Sequence, residues 1–413
     1  MSRPAVSVSA SEPQASAALW VLVAVLSANM LLDALEVSVV IVALPAIAAD
    51  LGLALWSLPL VMTAFALGFG GLVLLAPVLT SRFGRRRVFL IALLVFVLAC
   101  VLGGYADNAA MLLASRLVKG ACAALTAPTG LAIIASSFPE GALRDRALSI
   151  YSQFGASGFT VGLLASGLLT AEWTWRWTQW FPIPVALVLL LCGMRVLPRD
   201  VDAPTPLRFR LVGDGALLRS AAGGALLNGS FLYLMVITTV DLHYGLGWSP
   251  LVIALALLPA CVPLALTARW STRMVRRYGA PWPILLGSCA VLLAYVLYAA
   301  QPRAESYVEH LLPTLLLVGA GLALSFAALN IQAVSRVPTA DRAMAAATHQ
   351  TGVQLGAVSM LAVLSWRLAD TAPAAVVDHR HTGAVLIAAA ALSVAIAGFG
   401  VVSERRTRSA SQR

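Results

Sequence analysis

The sequence predicts an all-α membrane protein of twelve transmembrane helices in two pseudo-symmetric six-helix bundles. Three observations carry that prediction. The 413 residues are 60% hydrophobic and only 11% charged, with a mean hydropathy of +0.89. The apolar residues fall in runs long enough to cross a bilayer, and the basic residues gather at one set of run ends. A soluble domain carries about 25% charged and about 45–50% apolar residues, so no water-soluble fold of this length hides so much apolar surface. Disorder, a collagen-like fibre and a disulfide-stapled scaffold fail on the same numbers.

A hydrocarbon core of about 30 Å requires about 20 helical residues. The runs that satisfy this are 18–45, 54–80, 88–106, 110–135, 147–170, 178–197, 217–240, 249–268, 281–300, 310–332, 343–366 and 383–402. They are unbroken, whereas barrel strands alternate over about 10 residues, so helices follow. The first run, behind the polar Met1 to Ser16, is far longer than a signal-peptide core and is expected to remain uncleaved. The seventh opens with Arg219 and contains Asn228. The longest polar interruption, 198–216, contains Pro198, Asp200, Pro204 and Arg208 and divides the chain. The expected organisation is thus an N-terminal tail 1–17, a bundle 18–197, a linker 198–216, a second bundle 217–402 and a C-terminal tail 403–413.

Twenty-two of the 28 basic residues lie at one set of span ends, and four (Arg176, Arg303, Arg367, Arg380) at the other. The positive-inside bias then places both termini and the linker in the cytoplasm, in the cell inner (plasma) membrane. The net charge of +10 is therefore topological, spread over many segments, and does not indicate nucleic acid. The halves echo one another. Trp56-Ser57 and Trp248-Ser249 open the second and eighth spans, and Arg82-Phe83-Gly84 and Arg277-Tyr278-Gly279 follow those spans. The offsets of 192 and 195 residues suggest duplication, the construction of many secondary transporters.

Ionisable groups at mid-membrane cost about 2.5–3.5 kcal/mol on insertion scales and call for a reason. The first span holds Asp33 and Glu36, three apart and so on one helical face; the fourth holds Arg116 and Lys119, also three apart. Counted from Pro45 and Ala110, Glu36 and Lys119 each lie nine residues inward, roughly 13 Å. Lys119 is the only lysine of the chain. Two readings are open. The four charges neutralise one another and lock the two spans, or they line a water-accessible cavity in which an acid exchanges a proton. In the second reading Glu36 is the first choice of proton carrier and Asp33 the second, with Arg116 and Lys119 as charge partners. Gln153, Asn228, His349, Gln350 and Gln354 are candidate substrate ligands or, alternatively, interhelical hydrogen bonds. The small residues Gly155, Gly158, Gly162, Ser166 and Gly167 of the fifth span read as a packing or sliding face. The five cysteines lie in apolar runs without metal-ligand spacing, and the His379-x-His381 pair lacks a third ligand, so neither metal nor cofactor is expected.

At this point the residues resemble the major facilitator superfamily, and within it the drug:proton antiporters, over nearly the whole chain. Glu36-Val37-Ser38 through Ala43-Leu44-Pro45 is similar to the family's acid-x-Thr-x-x-Asn-x-Ala-Leu-Pro pattern, with Glu36 at the acid, Ser38 at the threonine and Ile41 at the asparagine. Arg82-Phe83-Gly84-Arg85-Arg86-Arg87 resembles the conserved loop after the second span. Arg116-Leu117-Val118-Lys119-Gly120 is similar to Arg-x-x-Gln-Gly, with Lys119 at the glutamine. Trp175-Arg176-Trp177 and the stretch Gly352 to Gly356 fit the same branch. The chain departs from the pattern at Ser81, where an acid is expected, at Pro77, where the loop begins with glycine, and at Leu163, where proline follows Gly162. The most similar branch commonly has fourteen spans.

The resemblance implies a secondary active transporter exporting amphipathic small molecules (drug, antibiotic or secondary metabolite) by proton antiport through alternating access. Its gating loop would comprise Arg82, Gly84, Arg85 and Arg86. Its partners would be a small-molecule substrate, protons and the lipid bilayer, with the chain a monomer. A proton-coupled importer of metabolites is the rival of the same class. Enzyme signatures such as GxSxG and HExxH are absent from the sequence, as is a nucleotide-binding loop.

Overall fold

The computed structural model describes residues 17–199, 214–300, 307–369 and 379–411, and every regular element among them is helical. The first part of the chain contains α1 (Ala17–Ser38), α2 (Leu44–Leu51), α3 (Leu58–Val73), α4 (Ala76–Phe83), α5 (Arg85–Gly104), α6 (Ala109–Ser137), α7 (Ala142–Glu172), α8 (Trp177–Trp180) and α9 (Pro182–Val196). The second contains α10 (Gly215–Val240), α11 (Pro250–Tyr278), α12 (Pro281–Ala300), α13 (Leu312–Val334), α14 (Arg342–Leu368) and α15 (His379–Ser411). Most of the expected linker 198–216 and nearly all of the N-terminal tail lie outside the described residues.

Two expected spans are broken helices. The first stops at Ser38, turns through Val39 to Ala43 and resumes as α2 with Pro45 in its first turn. Proline disfavours helical geometry in the residues before it, and the β-branched run Val39-Val40-Ile41-Val42 has little preference for continuing the helix. The second breaks before Ala76, with Pro77 in the first turn of α4. At the other end of the chain α15 continues to Ser411, past the expected boundary at 402.

Ten helical segments among the described residues are long and apolar enough to cross a membrane. The expected eighth and eleventh spans are not among them. Among the described residues the apolar part of α11 is Pro250–Pro263, and α14 carries Thr348, His349, Gln350, Thr351 and Gln354 in mid-helix. Both nevertheless pack inside the protein, α11 on α7 and α13, and α14 on α10 and α3.

Helices before residue 199 pack mainly with one another (α3 on α6, α1 on α7, α5 on α6 and α9), as do those after 214 (α10 on α14 and α15, α12 on α13 and α15). Contact between the two sets runs chiefly through α3–α14 and α7–α11. Duplication is visible in the backbone as well. Gly84 and Gly279 end α4 and α11 at φ 87°, ψ 143° and φ 81°, ψ 162°, a region essentially reserved for glycine. Ala54 and Ser249 enter the following helical turns at φ −70°, ψ 152° and φ −70°, ψ 156°.

Apolar packing differs between the two ends. At the end holding Pro45 and Trp175, one buried cluster joins both sets, with Val40, Ile41 and Leu44 from the first and Phe231, Leu234 and Ile237 from the second. At the end holding Arg85 and Leu217, Leu22, Phe89, Phe138 and Leu197 form a cluster of the first set alone. There Leu217, Ala333, Val337 and Ala345 form another, of the second set alone. A small cluster of Phe65, Phe69, Ala124 and Ala347 bridges α3, α6 and α14 between them.

Candidate functional site

The close approach of α3 and α6 builds the site. A Cβ added at Gly68 would sit 1.9 Å from the Leu117 carbonyl oxygen, and one added at Gly120 would sit 2.1 Å from that of Phe65. Two glycines thus let the backbones touch, as small residues do between membrane helices. Asn108 caps α6, its side chain accepting from the Met111 amide at 2.9 Å and fixing where the helix begins. Two turns further on, Arg116 and Lys119 face α1.

The four charges do not form one symmetric cluster. Glu36, with no exposed surface, takes both cations. Arg116 Nη1 donates to Glu36 Oε2 at 2.8 Å, and Nη2 donates to the Glu36 carbonyl at 2.9 Å. Lys119 Nζ donates to Oε1 at 3.2 Å and to the Gln179 Oε1 on α8 at 2.8 Å. Aromatic rings complete the surround, with Phe65 4.8 Å from the Arg116 guanidinium and Phe96 5.7 Å from the Lys119 ammonium. All three charged side chains are fully buried.

Asp33 is one turn away and takes no cation among the described residues. Its Oδ2 accepts from Asn29 Nδ2 at 2.8 Å and from the Thr126 hydroxyl at 2.7 Å. The residue keeps a little exposure, 7%, and Oδ1 has no hydrogen-bond donor among the described residues. The Asn29 Oδ1 atom is a buried acceptor without a partner. Asp33 lies on the side of Glu36 towards the arginine-rich end, where each helix set has a cluster of its own.

The sequence reading identified the four charges but missed Asn29, Thr126 and Gln179. Asn29 was legible as the residue four before Asp33 on the same helical face. Thr126 and Gln179 carried no such signal, because their contacts cross between helices.

The other candidates are not gathered here. His349 is buried against Ser220, whose Oγ lies 3.4 Å from Nδ1, and its ring edges Gly224. Gln354 packs at the α3–α14 contact, beside Gly70, where Thr351 donates to the Gly70 carbonyl at 3.3 Å. Gln153 contacts Ser157 at 3.5 Å within α7, while Asn228 and Gln350 are half-buried on α10 and α14. The small-residue face of α7 divides between two neighbours. Gly158 and Gly162 sit on α1, and Gly167 sits on α11 against Pro250 and Ala254.

Of the loop arginines, Arg85 donates to Ser136 at 3.2 Å and Arg86 to the Met194 carbonyl, tying α5 to the ends of α6 and α9. Arg82 is exposed beside Phe83. Ser81 turns its hydroxyl back to the Val78 carbonyl at 2.8 Å. At the opposite end Asp50 accepts from Trp175 Nε1 at 3.0 Å and from Arg176, whose other nitrogen donates to the Ala106 carbonyl. These donors hold the Asp50 carboxyl below the ordinary aspartate range, Trp175 contributing most. His379 Nε2 lies 3.0 Å from Asp241 Oδ2, and no group of three metal-ligating side chains occurs among the described residues.

Comparison with known proteins agrees with this architecture. The Major Facilitator Superfamily profile matches residues 26–361. The puromycin resistance protein pur8 of Streptomyces alboniger is 31% identical, over 95% of this chain and 93% of its own. The lincomycin resistance protein of Streptomyces lincolnensis is 26% identical over 88% and 87%. The cephamycin export protein CmcT of Amycolatopsis lactamdurans is 34% identical over 63% of this chain and 52% of its own. Among solved structures, the D323A mutant of the nucleoside transporter NupG superposes with a TM-score of 0.72 at 11% identity, covering 91% of this chain and 98% of that one. The chain belongs to the major facilitator superfamily, and it is a multi-pass membrane transporter rather than an enzyme.

Proposed function

We propose that this superfamily member exports amphipathic small molecules, of the class to which antibiotics such as puromycin and lincomycin belong, by proton antiport through alternating access. Its twelve spans form two six-helix bundles, 18–197 and 217–402, joined by a cytoplasmic linker at 198–216. Both termini face the cytoplasm, the chain works as a monomer in the inner membrane, and α11 and α14 are counted as spans. The proposal draws on the relatives named for resistance and export, and on the charge distribution along the chain.

The observation that carries the mechanism is the unequal treatment of the two acids. Glu36 is held by two buried cations, whereas Asp33 accepts only from neutral donors. The outer ends share one apolar cluster, whereas at the arginine-rich ends each set has a cluster of its own, and on that pattern the conformation is read as inward-facing. Asp33 is then the carboxyl nearer the cytoplasm. It can gain or lose a proton without breaking an ion pair, and it is preferred to Glu36 as the exchanging group. Its Oδ1, free among the described residues, is the acceptor a cationic amine would take, so substrate and proton compete for one carboxylate. In the outward-facing state a proton displaces the substrate. Glu36 responds second, since neutralising it releases Arg116 and Lys119 and loosens the α1–α6 contact.

The test is transport in proteoliposomes under an imposed pH gradient, with puromycin as the first probe. Substrate movement against the direction of proton flow is expected. Accumulation in the same direction as proton flow would overturn export in favour of the importing symporter.

A further inference from the structure

A second charged feature lies outside the transport site, at the arginine-rich end of the second helix set. Arg219, in the second turn of α10, lines a cleft with Gly223, Ile284, Leu329, Ile396 and Gly400, contributed by α10, α12, α13 and α15. Its Nε is buried and has no acceptor among the described residues. Among the described residues the acid that acts on it, Asp214, already spends Oδ1 on the Ala216 and Leu217 amides as the cap of α10. Arg336 adds a second positive charge close enough to repel it. A buried N–H without a partner is unfavourable, and two like charges side by side add to that cost. Such a group calls for an anion.

The shape of the cleft narrows the choice. Beside the guanidinium there is room of about 10 Å³, enough for one oxygen-sized atom. Gly400 borders this space: a Cβ there would lie 3.8 Å from Nε, an ordinary contact, so a branched side chain is needed to fill it. The walls carry Gln332 and Ser393 as well as the apolar Ile284, Leu329, Ile396 and Ala397. Phe399, whose ring is 5.9 Å from the Arg219 guanidinium, is 65% exposed on the outer surface of α15. A small hydrated anion would lose its water here and gain few contacts in return. An amphiphile that inserts one oxygen and lays its chains beside Phe399 matches both halves of the surface.

We infer that this cleft binds the phosphate of an anionic phospholipid from the leaflet at the arginine-rich end. One phosphate oxygen accepts from Arg219 Nε, Arg336 supplies the second charge, and an acyl chain runs along Phe399. Guanidinium suits phosphate because it donates through a fixed planar fork. Basic pockets between helices at this membrane level meet such headgroups.

The experiment measures lipid retention on the intact, detergent-purified protein by native mass spectrometry, together with thermal stabilisation by added lipid. Dioleoyl-phosphatidylglycerol, dioleoyl-phosphatidylcholine and inorganic phosphate serve as the three probes. Phosphatidylglycerol is expected to bind the wild type at least tenfold more tightly than phosphatidylcholine. That preference should be lost in Arg219→Gln and in Gly400→Val, which fills the cleft while leaving the guanidinium in place. A preference unchanged in Gly400→Val overturns the site even if the Arg219 variant fails to fold. Stabilisation by millimolar inorganic phosphate equal to that by the lipid overturns the assignment to a membrane amphiphile. Because the readout is binding, a failure here is separate from any failure of the antiport reading.

Discussion

Glu36 Oε2 and Arg116 Nη1 lie 2.8 Å apart in a site where neither side chain has any exposed surface. Removing one partner of a fully buried ion pair leaves the other uncompensated, at a cost of about 3–5 kcal/mol. Because Glu36 also serves Lys119, its loss strands two cations at once. Glu36→Gln should therefore lower stability by at least that amount. Lys119→Met leaves a neutral Glu36–Arg116 pair and should cost only about 1.5–3 kcal/mol, the size of a hydrogen bond to a charged group. Thermal melting of the two variants in detergent tests the order, and a Lys119 variant that melts lower than the Glu36 variant contradicts the assignment.

Asp33→Asn separates coupling from stability. An asparagine oxygen can accept from Asn29 and Thr126 as the aspartate does, so stability should change by no more than about 1 kcal/mol. Gradient-driven efflux in proteoliposomes should be lost, and binding of a cationic substrate should weaken because its counter-charge is gone. Efflux that still follows the pH gradient would show that Asp33 does not carry the proton.

The Asp50 latch gives a pH dependence with a defined sign. Trp175 and Arg176 hold its carboxyl below its unfolded value of about 3.9. The stabilisation it supplies is therefore fully present above that value and disappears as the pH falls through the lower folded value. The difference in melting temperature between the wild type and Asp50→Asn should be constant from pH 7 to about pH 5 and shrink below pH 4. A difference that grows on acidification contradicts the latch. The side chain is 43% exposed, so the effect should be modest and weaken in high salt.

The α3–α6 contact predicts a contrast among glycines. Gly68→Ala puts a methyl carbon 1.9 Å from a backbone oxygen and must separate the helices, whereas Gly71 on the same helix has nothing within 4 Å. Gly68→Ala should destabilise by about 1–3 kcal/mol, as overpacking does, and impair efflux by displacing Arg116 from Glu36. Gly71→Ala should match the wild type in melting and transport. Equal behaviour of the two variants would mean that this contact is not what positions the site.

Much of the fold was legible in composition and period. Long apolar runs specify helices that cross a bilayer, since backbone groups in hydrocarbon must bond within their own segment. The echo of Arg82-Phe83-Gly84 in Arg277-Tyr278-Gly279 marked two positions that share one glycine-only backbone conformation. The breaks at Val39 to Ala43 and before Ala76 were missed, although Pro45 and Pro77 signalled them, because an apolar run shows hydropathy and not continuity.

The sequence by itself determined that two acids and two bases would lie at similar depth on two membrane helices, since helical rise and span ends fix depth. Only the tertiary structure decided that Glu36 takes both cations while Asp33 meets Asn29 and Thr126. That choice depends on how each helix is rotated and on how closely α3, α6 and α1 approach. Gly68 and Gly120 set the approach of α3 to α6 by allowing one backbone against another, and hydropathy carries no record of it.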